Sequence, residues 1–323
     1  MFSELAENNL SSLGESSLIE RIQSWLGSVA PPPPQGMGDD CAVLEVPEGQ
    51  YQLLTTDSLT YGQHFSDRVS PKHAGMKLIH RNLSDIAAMG GAPGSALLNL
   101  LMGPDLSIDW LHEFIDGIRE SCHRYNVQIV GGDVSRIAPG HFSAALTLCG
   151  HIEGMPRLRK GAAIGDSIYV TGTLGGSIVS KHFSFEPRLR EGQWLAKRSE
   201  VTAMMDLTDG LGKDLGALLP VNASAAVERS ALPLSEDAQT CSAEDGRSAE
   251  AHAFCDGEDY ELLFTVAAET NRAQFESSWN EAFPGLRLSR IGGIINSHPA
   301  GRYIDAQDKQ ALPWVMGFEH FKS

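Results

Sequence analysis

Acidic residues that stand beside predicted strands are the side chains of this sequence whose type and spacing could do chemistry. Asp39 and Asp40 follow a glycine loop and precede a short apolar strand, Cys41–Val43. Asp57 closes the next predicted strand, which follows a turn at Pro47–Gly49. Adjacent strands can bring such ends together, and neighbouring carboxylates repel one another unless protons or cations neutralise them. The pattern therefore indicates a cation site, with a solvated turn as the alternative, because Gly and Asp are ordinary turn residues.

The same association of a carboxylate with glycine or hydroxyl neighbours recurs in both halves of the chain. It occurs at Asp40, at Asp57 with Thr55 and Thr56, at Asp85, at Asp133, and at Asp206 with Thr208 and Asp209. Hard oxygen ligands of this kind select Mg²⁺, Mn²⁺ or Ca²⁺ rather than zinc. Gly131 and Gly132 have no side chain, so a phosphate could approach the backbone there, and Mg²⁺ can bridge phosphate oxygens. We therefore predict a metal-lined cleft between two domains.

Composition argues against several classes of protein. The chain has 323 residues, enough for two domains, and a net charge of −16. Binding to nucleic acid over a broad surface is not expected, because phosphate backbones need a basic face, but metal ions could offset the charge of a small anion. Five cysteines without a C-x-x-C pair indicate reduced thiols in the cytoplasm. Neither a signal peptide nor a membrane span is predicted.

Hydrophobic periodicity predicts the elements that must position the acidic residues in the first half. Helical spacing predicts helices over Ser16–Leu26, from Ser70 to Gly90, and from Ser107 to Cys122. A strand over Val127–Val130 is predicted to close at Gly131–Asp133. The predicted order is β-β-α-β-α-β-β, a mixed sheet with helices on one face.

Polar residues inside the second predicted helix are a further signal. Asn82, Ser84 and Asp85 are of types that are unfavourable in the middle of a helix. We therefore expect the end of this helix to meet something polar.

The second half is predicted to be a separate α/β sandwich, so the chain as a whole is assigned to the α+β class. A boundary is placed between residues 153 and 154, where a stretch rich in Gly and Pro begins. Asp209-Gly210 is expected to open a helix through Leu219. The polar segment Leu234–Ala251 is expected to be a loop with one helical turn.

The sequence lacks the common nucleotide-binding motifs. The sequence contains no Gly-x-x-x-x-Gly-Lys-Ser/Thr loop and no protein-kinase catalytic-loop signature. The glycine loop Gly172–Gly176 is not a G-x-G-x-x-G motif.

Longer motifs carry a resemblance to a known family. From about Gly14 to Phe321 the chain resembles the thiamine-monophosphate kinases of the AIR-synthetase-related superfamily. The motifs are Gly38–Val43, Thr55–Leu59, Gly62–Phe65, Asn82–Gly90, Gly131–Asp133, Gly165–Gly172, Met205–Leu211, Gly257–Leu262 and Gly317–Phe321.

The resemblance implies phosphorylation of thiamine monophosphate to thiamine diphosphate by ATP, in a homodimer whose N-terminal sheets join. Several Mg²⁺ ions would be held by Asp40, Thr55, Thr56, Asp57, Asp85, Asp133, Asp206 and Asp209. Among these, the catalytic carboxylates would be Asp57, Asp85 and Asp133. ATP would contact Gly132, Arg159 and Thr208, and the thiamine substrate would contact His64, Glu258 and Phe318. Because the attacking phosphate oxygen is already ionised, direct in-line transfer needs only positioning and metal charge.

Four of these residues have an ordinary structural role as the alternative to a role in the site. His64 could be plain surface, Arg159 part of a solvated basic linker, Phe318 a packing anchor and Asp209 a helix N-cap. Asp256 stands where the family usually has Gly, and the segment from Gly176 to His182 is shorter than usual.

Three rival assignments are compared with the resemblance. A selenophosphate synthetase would need a reactive Cys or selenocysteine with a nearby Lys in an N-terminal glycine loop, and none is evident. A hydrogenase-maturation relative would need a cysteine tail, whereas this sequence ends Glu319–Ser323. A non-catalytic protein that binds nucleotide or metal is the rival from another class.

Overall fold

The computed structural model describes Leu5, residues 15–31 and residues 50–314. The acidic motif at Asp39 and Asp40 and the C-terminal motif with Phe318 lie outside these residues. The chain divides into two compact units: the first ends at Met155, and the second begins at Pro156 and also includes Ala87–Gly90. In the described part of the chain, no helix is both long and apolar enough to span a membrane.

The first unit contains the predicted mixed sheet. Its strands are β1 (Gln50–Thr60), β2 (Ala92–Met102), β3 (Gln128–Arg136) and β4 (Phe142–Glu153). Their spatial order is β1-β4-β2-β3. Strands β1 and β2 run antiparallel to β4, and β3 runs parallel to β2.

The three predicted helices of this unit are also confirmed. They are α1 (Glu15–Leu26), α2 (Pro71–Ala88) and α3 (Ile108–Tyr125). Ser107 caps α3 by accepting a hydrogen bond from the Trp110 amide, as its residue type favours. The backbones of α2 and α3 approach closely, because a Cβ atom on Gly75 would lie 2.0 Å from the Phe114 carbonyl oxygen.

One face of the first sheet is covered and the other is open. Alternate residues of β4 are buried from Phe142 to Gly150, whereas the residues between them are partly exposed. On the open face Leu54 is 66% exposed and Leu97 is 44% exposed. This alternation is typical of a sheet that packs against helices on one side only.

The prediction that β3 closes at Gly131–Asp133 was wrong. The strand continues to Arg136 because it stays paired with β2, and Asn99 lies opposite Asp133 in the register. Gly132 permits the close approach, since a Cβ atom there would lie 1.7 Å from the Leu98 carbonyl oxygen.

The second unit is built on a six-stranded sheet in the order β10-β7-β9-β5-β8-β6. Its strands are β5 (Ser167–Thr171), β6 (Val201–Asp206), β7 (Ala223–Val227), β8 (Leu262–Val266), β9 (Leu288–Asn296) and β10 (Tyr303–Asp305). Pairing is antiparallel except between β10 and β7. The described helices are α4 (Lys181–Ser184), α5 (Leu189–Ala196), α6 (Leu211–Leu218), α7 (Glu236–Asp245), α8 (Ala249–Cys255) and α9 (Arg272–Ala282).

The expected loop over Leu234–Ala251 was also wrong, since α7 and the start of α8 occupy it. Ser235 and Ser248 cap these helices by accepting hydrogen bonds from the amides of Ala238 and Ala251. Gly246 ends α7 in a left-handed conformation with φ of 77°. These caps define the helices despite the polar composition of the segment.

Candidate active site

In the first unit, strand β1 and helix α2 bring together the predicted metal ligands Thr55, Asp57 and Asp85 with Asn82. The Thr55 hydroxyl donates a short hydrogen bond to the Asp85 carboxylate. The Asp57 backbone amide donates to the side-chain oxygen of Asn82 at 3.1 Å. Asn82 itself donates to the Leu78 carbonyl oxygen at 2.9 Å. The expectation that polar residues of this helix meet a polar partner is therefore confirmed.

Arg81 is a member of this group that sequence reasoning missed. One guanidinium nitrogen lies 3.3 Å from Asp57 Oδ1, and the other donates to the Ser58 carbonyl oxygen at 2.6 Å. Its position one residue before Asn82 was the available signal. The guanidinium offsets part of the carboxylate charge and fixes the direction of Asp57.

Asp133 lies apart from this group within the unit. It is on β3, at the opposite end of the sheet from β1, so three strand spacings, or about 14 Å, separate the two strands. Asp133 pairs with Asn99 on the open face, whereas Asp57 pairs with buried Leu146 on the covered face. Thr56 also faces the open side, where its hydroxyl accepts from Thr147 at 3.2 Å.

The loop that contains His64 follows β1, and two hydrogen bonds hold it in place. The His64 Nδ1 atom accepts a hydrogen bond from the Thr60 amide at 2.9 Å. Lys77, which is fully buried in α2, donates to the His64 carbonyl oxygen at 2.8 Å. These contacts give the loop a defined conformation, and Lys77 was not identified from the sequence.

In the second unit, the turn after β6 carries Thr208 and Asp209. Asp214, which is only 4% exposed, accepts hydrogen bonds from the Thr208 amide at 2.9 Å and the Asp209 amide at 3.0 Å. Burial raises the pKa of Asp214 to about 6. Helix α6 begins after Gly210, which is the N-cap residue, so Asp209 is not the cap. Instead, Asp209 forms an ion pair with Lys213 at 2.5 Å.

The turn before β8 has an unusual backbone. Gly257, Glu258 and Tyr260 have φ of 73°, 54° and 50°, which is the left-handed region that non-glycine residues rarely adopt. The Glu258 amide donates to the Thr208 carbonyl oxygen at 2.8 Å. Such conformations persist only where the surroundings impose them, and they cluster at functional sites.

Two backbone amides of the glycine loop Gly172–Gly176 donate hydrogen bonds to carboxylate side chains. The Gly175 amide donates to Asp259 Oδ1 at 2.9 Å, and the Gly176 amide donates to Asp256 Oδ2 at 3.0 Å. Asp259 is fully buried, and burial raises its pKa to about 7. These amides are directed at acidic side chains, so the loop is not arranged as a phosphate cradle.

Glu261 is the centre of a buried ion cluster behind this loop. Burial alone would raise its pKa, but Lys181 at 2.8 Å and Arg188 at 2.7 Å outweigh that effect and lower it to about 2. The Thr171 hydroxyl also donates to Glu261 at 2.7 Å. With its charge fully paired, Glu261 anchors α4 and the segment before α5.

Arg159 and Asp206 are the remaining predicted positions among the described residues. Arg159 is exposed, whereas Asp206 is buried at the end of β6. In residues 15–31 and 50–314, no three His, Cys, Asp or Glu side chains converge as a metal site. A hollow of about 420 Å³ lined by Lys197, Arg198 and Asn271 contains none of the predicted site residues.

Comparisons with known proteins identify the family of this chain. The family model for AIR synthase related protein, N-terminal domain, matches residues 38–152. The chain is 36% identical over 294 residues to the thiamine-monophosphate kinase of Rhodopirellula baltica, covering 88% of this chain and 90% of that protein. It is 37% identical over 331 residues to the thiamine-monophosphate kinase of Salmonella typhimurium, covering 95% and 98%.

Solved structures show the same fold. A thiamine-monophosphate kinase from Stenotrophomonas maltophilia superposes with a TM-score of 0.74 at 29% identity, covering 93% of this chain and 98% of that one. AaThiL complexed with AMPPCP and TMP superposes with a TM-score of 0.72 at 29% identity, covering 96% and 98%. The hydrogenase maturation protein HypE also has a TM-score of 0.74, but at 17% identity it shows the fold alone.

The contacts of Asp256 predict a stability effect. Its carboxylate accepts from the Gly176 amide and lies 2.8 Å from His252 Nδ1 and 3.4 Å from Arg247, with 13% of the side chain exposed. Asp256→Ala should lower the free energy of unfolding by about 1.5–3 kcal/mol, because charged hydrogen-bond partners are lost. Denaturant unfolding measures this loss.

A matched control is Asp245→Ala, which removes the other carboxylate next to His252, at 3.2 Å but 44% exposed. This variant should be destabilised less. Equal losses in the two variants would contradict the role assigned to Asp256.

Proposed function

We propose that this chain, which belongs to the thiamine-monophosphate kinase family, transfers the γ-phosphoryl group of ATP to thiamine monophosphate. The products are thiamine diphosphate and ADP. Relatives of that name match nearly the full length of the chain. AaThiL, a solved structural neighbour, holds AMPPCP and TMP.

One contact in the second unit carries the proposal. The Glu258 amide donates to the Thr208 carbonyl oxygen at 2.8 Å, so the residue proposed to meet the acceptor adjoins the residue proposed to meet ATP. Transfer between two bound substrates requires such fixed proximity. Arg159 is exposed and available to a phosphate.

The donor set fits Mg²⁺. The proposed ligands Thr55, Thr56, Asp57 and Asp85 offer only oxygen atoms, and Thr55 already contacts Asp85. Asp133, Asp206 and Asp209 complete the proposed set in the described residues, and Asp40 belongs to it by its sequence motif. When bound, Mg²⁺ supplies positive charge that offsets the phosphates and these carboxylates.

The chain's own residues orient the substrates. Gly132 and Thr208 are proposed to contact ATP, and His64, Glu258 and Phe318 to contact the thiamine substrate. The attacking phosphate oxygen is ionised at neutral pH, so no side chain has to remove a proton. We propose direct in-line transfer in which positioning and charge lower the barrier.

The open face of the first sheet supports a homodimer. Leu54 and Leu97 are exposed there, together with the less exposed Ala145 and Cys149. An apolar sheet face of this kind is commonly covered by a partner. Asp133 lies on the same face, so a dimer formed through it would enclose a proposed metal ligand.

The function is tested by ADP release with ATP, Mg²⁺ and a panel of acceptors. We expect release to depend on thiamine monophosphate and to yield thiamine diphosphate. Binding of ATP without turnover of thiamine monophosphate would contradict the proposal and favour a non-catalytic binding protein.

Replacing Asp57 tests the metal site. Asp57→Asn removes a full ligand charge, and we expect turnover to fall by orders of magnitude at saturating Mg²⁺ while the fold survives. Steady-state rates and thermal unfolding measure the two effects.

The control for this variant is Asp109→Asn, which removes an exposed carboxylate from the first turn of α3. It should retain wild-type turnover. Wild-type turnover by Asp57→Asn would rule out the metal assignment.

Replacing Glu258 tests whether this residue contacts the thiamine substrate. Glu258→Gln should raise the KM for thiamine monophosphate by about 10-fold to 100-fold, since a charged hydrogen-bond partner is lost, and leave the KM for ATP nearly unchanged. Glu236→Gln, an exposed change at the start of α7, is the control. A rise in the KM for ATP alone would contradict the assignment of Glu258 to the acceptor.

Replacing Leu54 tests the dimer. The wild-type protein should sediment at twice the chain mass of 34.8 kDa, and Leu54→Glu should sediment as a monomer with lower turnover. Val221→Glu, at an 89% exposed apolar residue of the second unit, should remain a dimer. A dimer that survives Leu54→Glu, or a monomeric wild type, would contradict the proposed interface.

A further inference from the structure

The Glu258 carboxylate lies between two groups that its sequence motif does not assign to the substrate. The Tyr260 hydroxyl donates to Glu258 Oε1 at 3.3 Å, and His182 Nδ1 lies 3.6 Å from Oε2. We infer that Tyr260 and His182 are positioning residues that orient this carboxylate toward N–H groups of the acceptor. The inference rests on the proposed function and deepens it.

Burial distinguishes the carboxylate from the groups that flank it. The Glu258 side chain is 25% exposed, whereas the His182 side chain is 5% exposed and Tyr260 is 2% exposed. A ligand arriving from solvent can therefore reach the carboxylate before either flanking group. Tyr260 and His182 act on such a ligand through Glu258.

The chemistry of a carboxylate defines the ligand class. An ionised carboxylate accepts hydrogen bonds through both oxygens, and the Glu258 side chain is 25% exposed. The edge that reaches solvent suits an amino-substituted nitrogen heterocycle, whose exocyclic amine is a donor. Holding the carboxylate in one orientation reduces the conformational freedom that binding would otherwise remove.

Tyr260 is held firmly enough to serve this purpose. Its ring stacks on Phe185 with centroids 3.8 Å apart and planes 11° from parallel. Its amide donates to the Leu207 carbonyl oxygen at 2.8 Å. Tyr260 has a left-handed φ of 50°, and its hydroxyl donates to the residue two positions earlier.

His182 is held by a different part of the unit. Its amide donates to the Ser177 carbonyl oxygen at 2.9 Å. Ser177 in turn donates a short hydrogen bond from its hydroxyl to the Gly257 carbonyl oxygen, next to Glu258. The neighbouring Lys181 is fixed by Glu261 at 2.8 Å. His182 is thus linked, through Ser177, to the backbone next to Glu258.

The test uses Tyr260→Phe and His182→Gln in the full chain. Each variant should raise the KM for thiamine monophosphate by about 3-fold to 10-fold, while the KM for ATP stays within twofold of wild type. Tyr169→Phe is the matched control, because it deletes a hydroxyl that donates to Glu276 at 2.8 Å elsewhere in the same unit. This control should leave both constants unchanged.

A double-variant cycle separates positioning from a general structural role. In a Glu258→Gln background, Tyr260→Phe should change the acceptor KM by less than twofold, because Tyr260 acts through that carboxylate. Full independent effects in both backgrounds would overturn the inference, as would unchanged acceptor constants in Tyr260→Phe and His182→Gln. A wild type without activity on thiamine monophosphate would instead overturn the proposed function and this inference with it.

Discussion

Backbone pairing between the segment that follows β6 and the segment that precedes β8 is the interaction on which the rest of the site depends. The Leu207 amide donates to the Glu261 carbonyl oxygen at 2.9 Å, and the Tyr260 amide donates to that of Leu207 at 2.8 Å. Further along the two segments, the Glu258 amide donates to the Thr208 carbonyl oxygen. These bonds continue the pairing of two buried strands into a turn that carries side chains proposed to bind substrate. The sheet thereby fixes the separation between the residues proposed to contact the nucleotide and the acceptor.

Around this pairing, each buried carboxylate is stabilised in its own way. Glu261 is neutralised by Lys181 and Arg188, whereas Asp214 accepts two backbone amides of the Thr208 turn. Removing one partner from a buried ion cluster leaves a charge without compensation, which is strongly unfavourable. Among the carboxylates proposed to bind Mg²⁺, Asp57, Asp85, Asp133 and Asp209 are more accessible than these two, whereas Asp206 is buried.

Sequence reasoning predicted the elements whose signals are local. Helix α3 follows from the Ser107 cap and its apolar spacing, and the polar residues of α2 correctly indicated a polar contact. The helices over Leu234–Ala251 were missed because their polar composition hides the apolar face. The left-handed backbone of Glu258 could not be predicted, because partners distant in sequence impose it on a residue that rarely adopts it. For the same reason, the separation of Asp133 from Asp57 follows from strand order rather than from any motif.

We propose that the protein positions two anionic substrates for direct phosphoryl transfer and forms no covalent intermediate. The most direct measurement is the stereochemical course of the reaction, with ATP made chiral at the γ-phosphorus by oxygen isotopes and sulfur. A single in-line displacement predicts inversion of configuration at phosphorus in the thiamine diphosphate formed. Retention of configuration would show two successive displacements through a phosphorylated protein and would contradict the account.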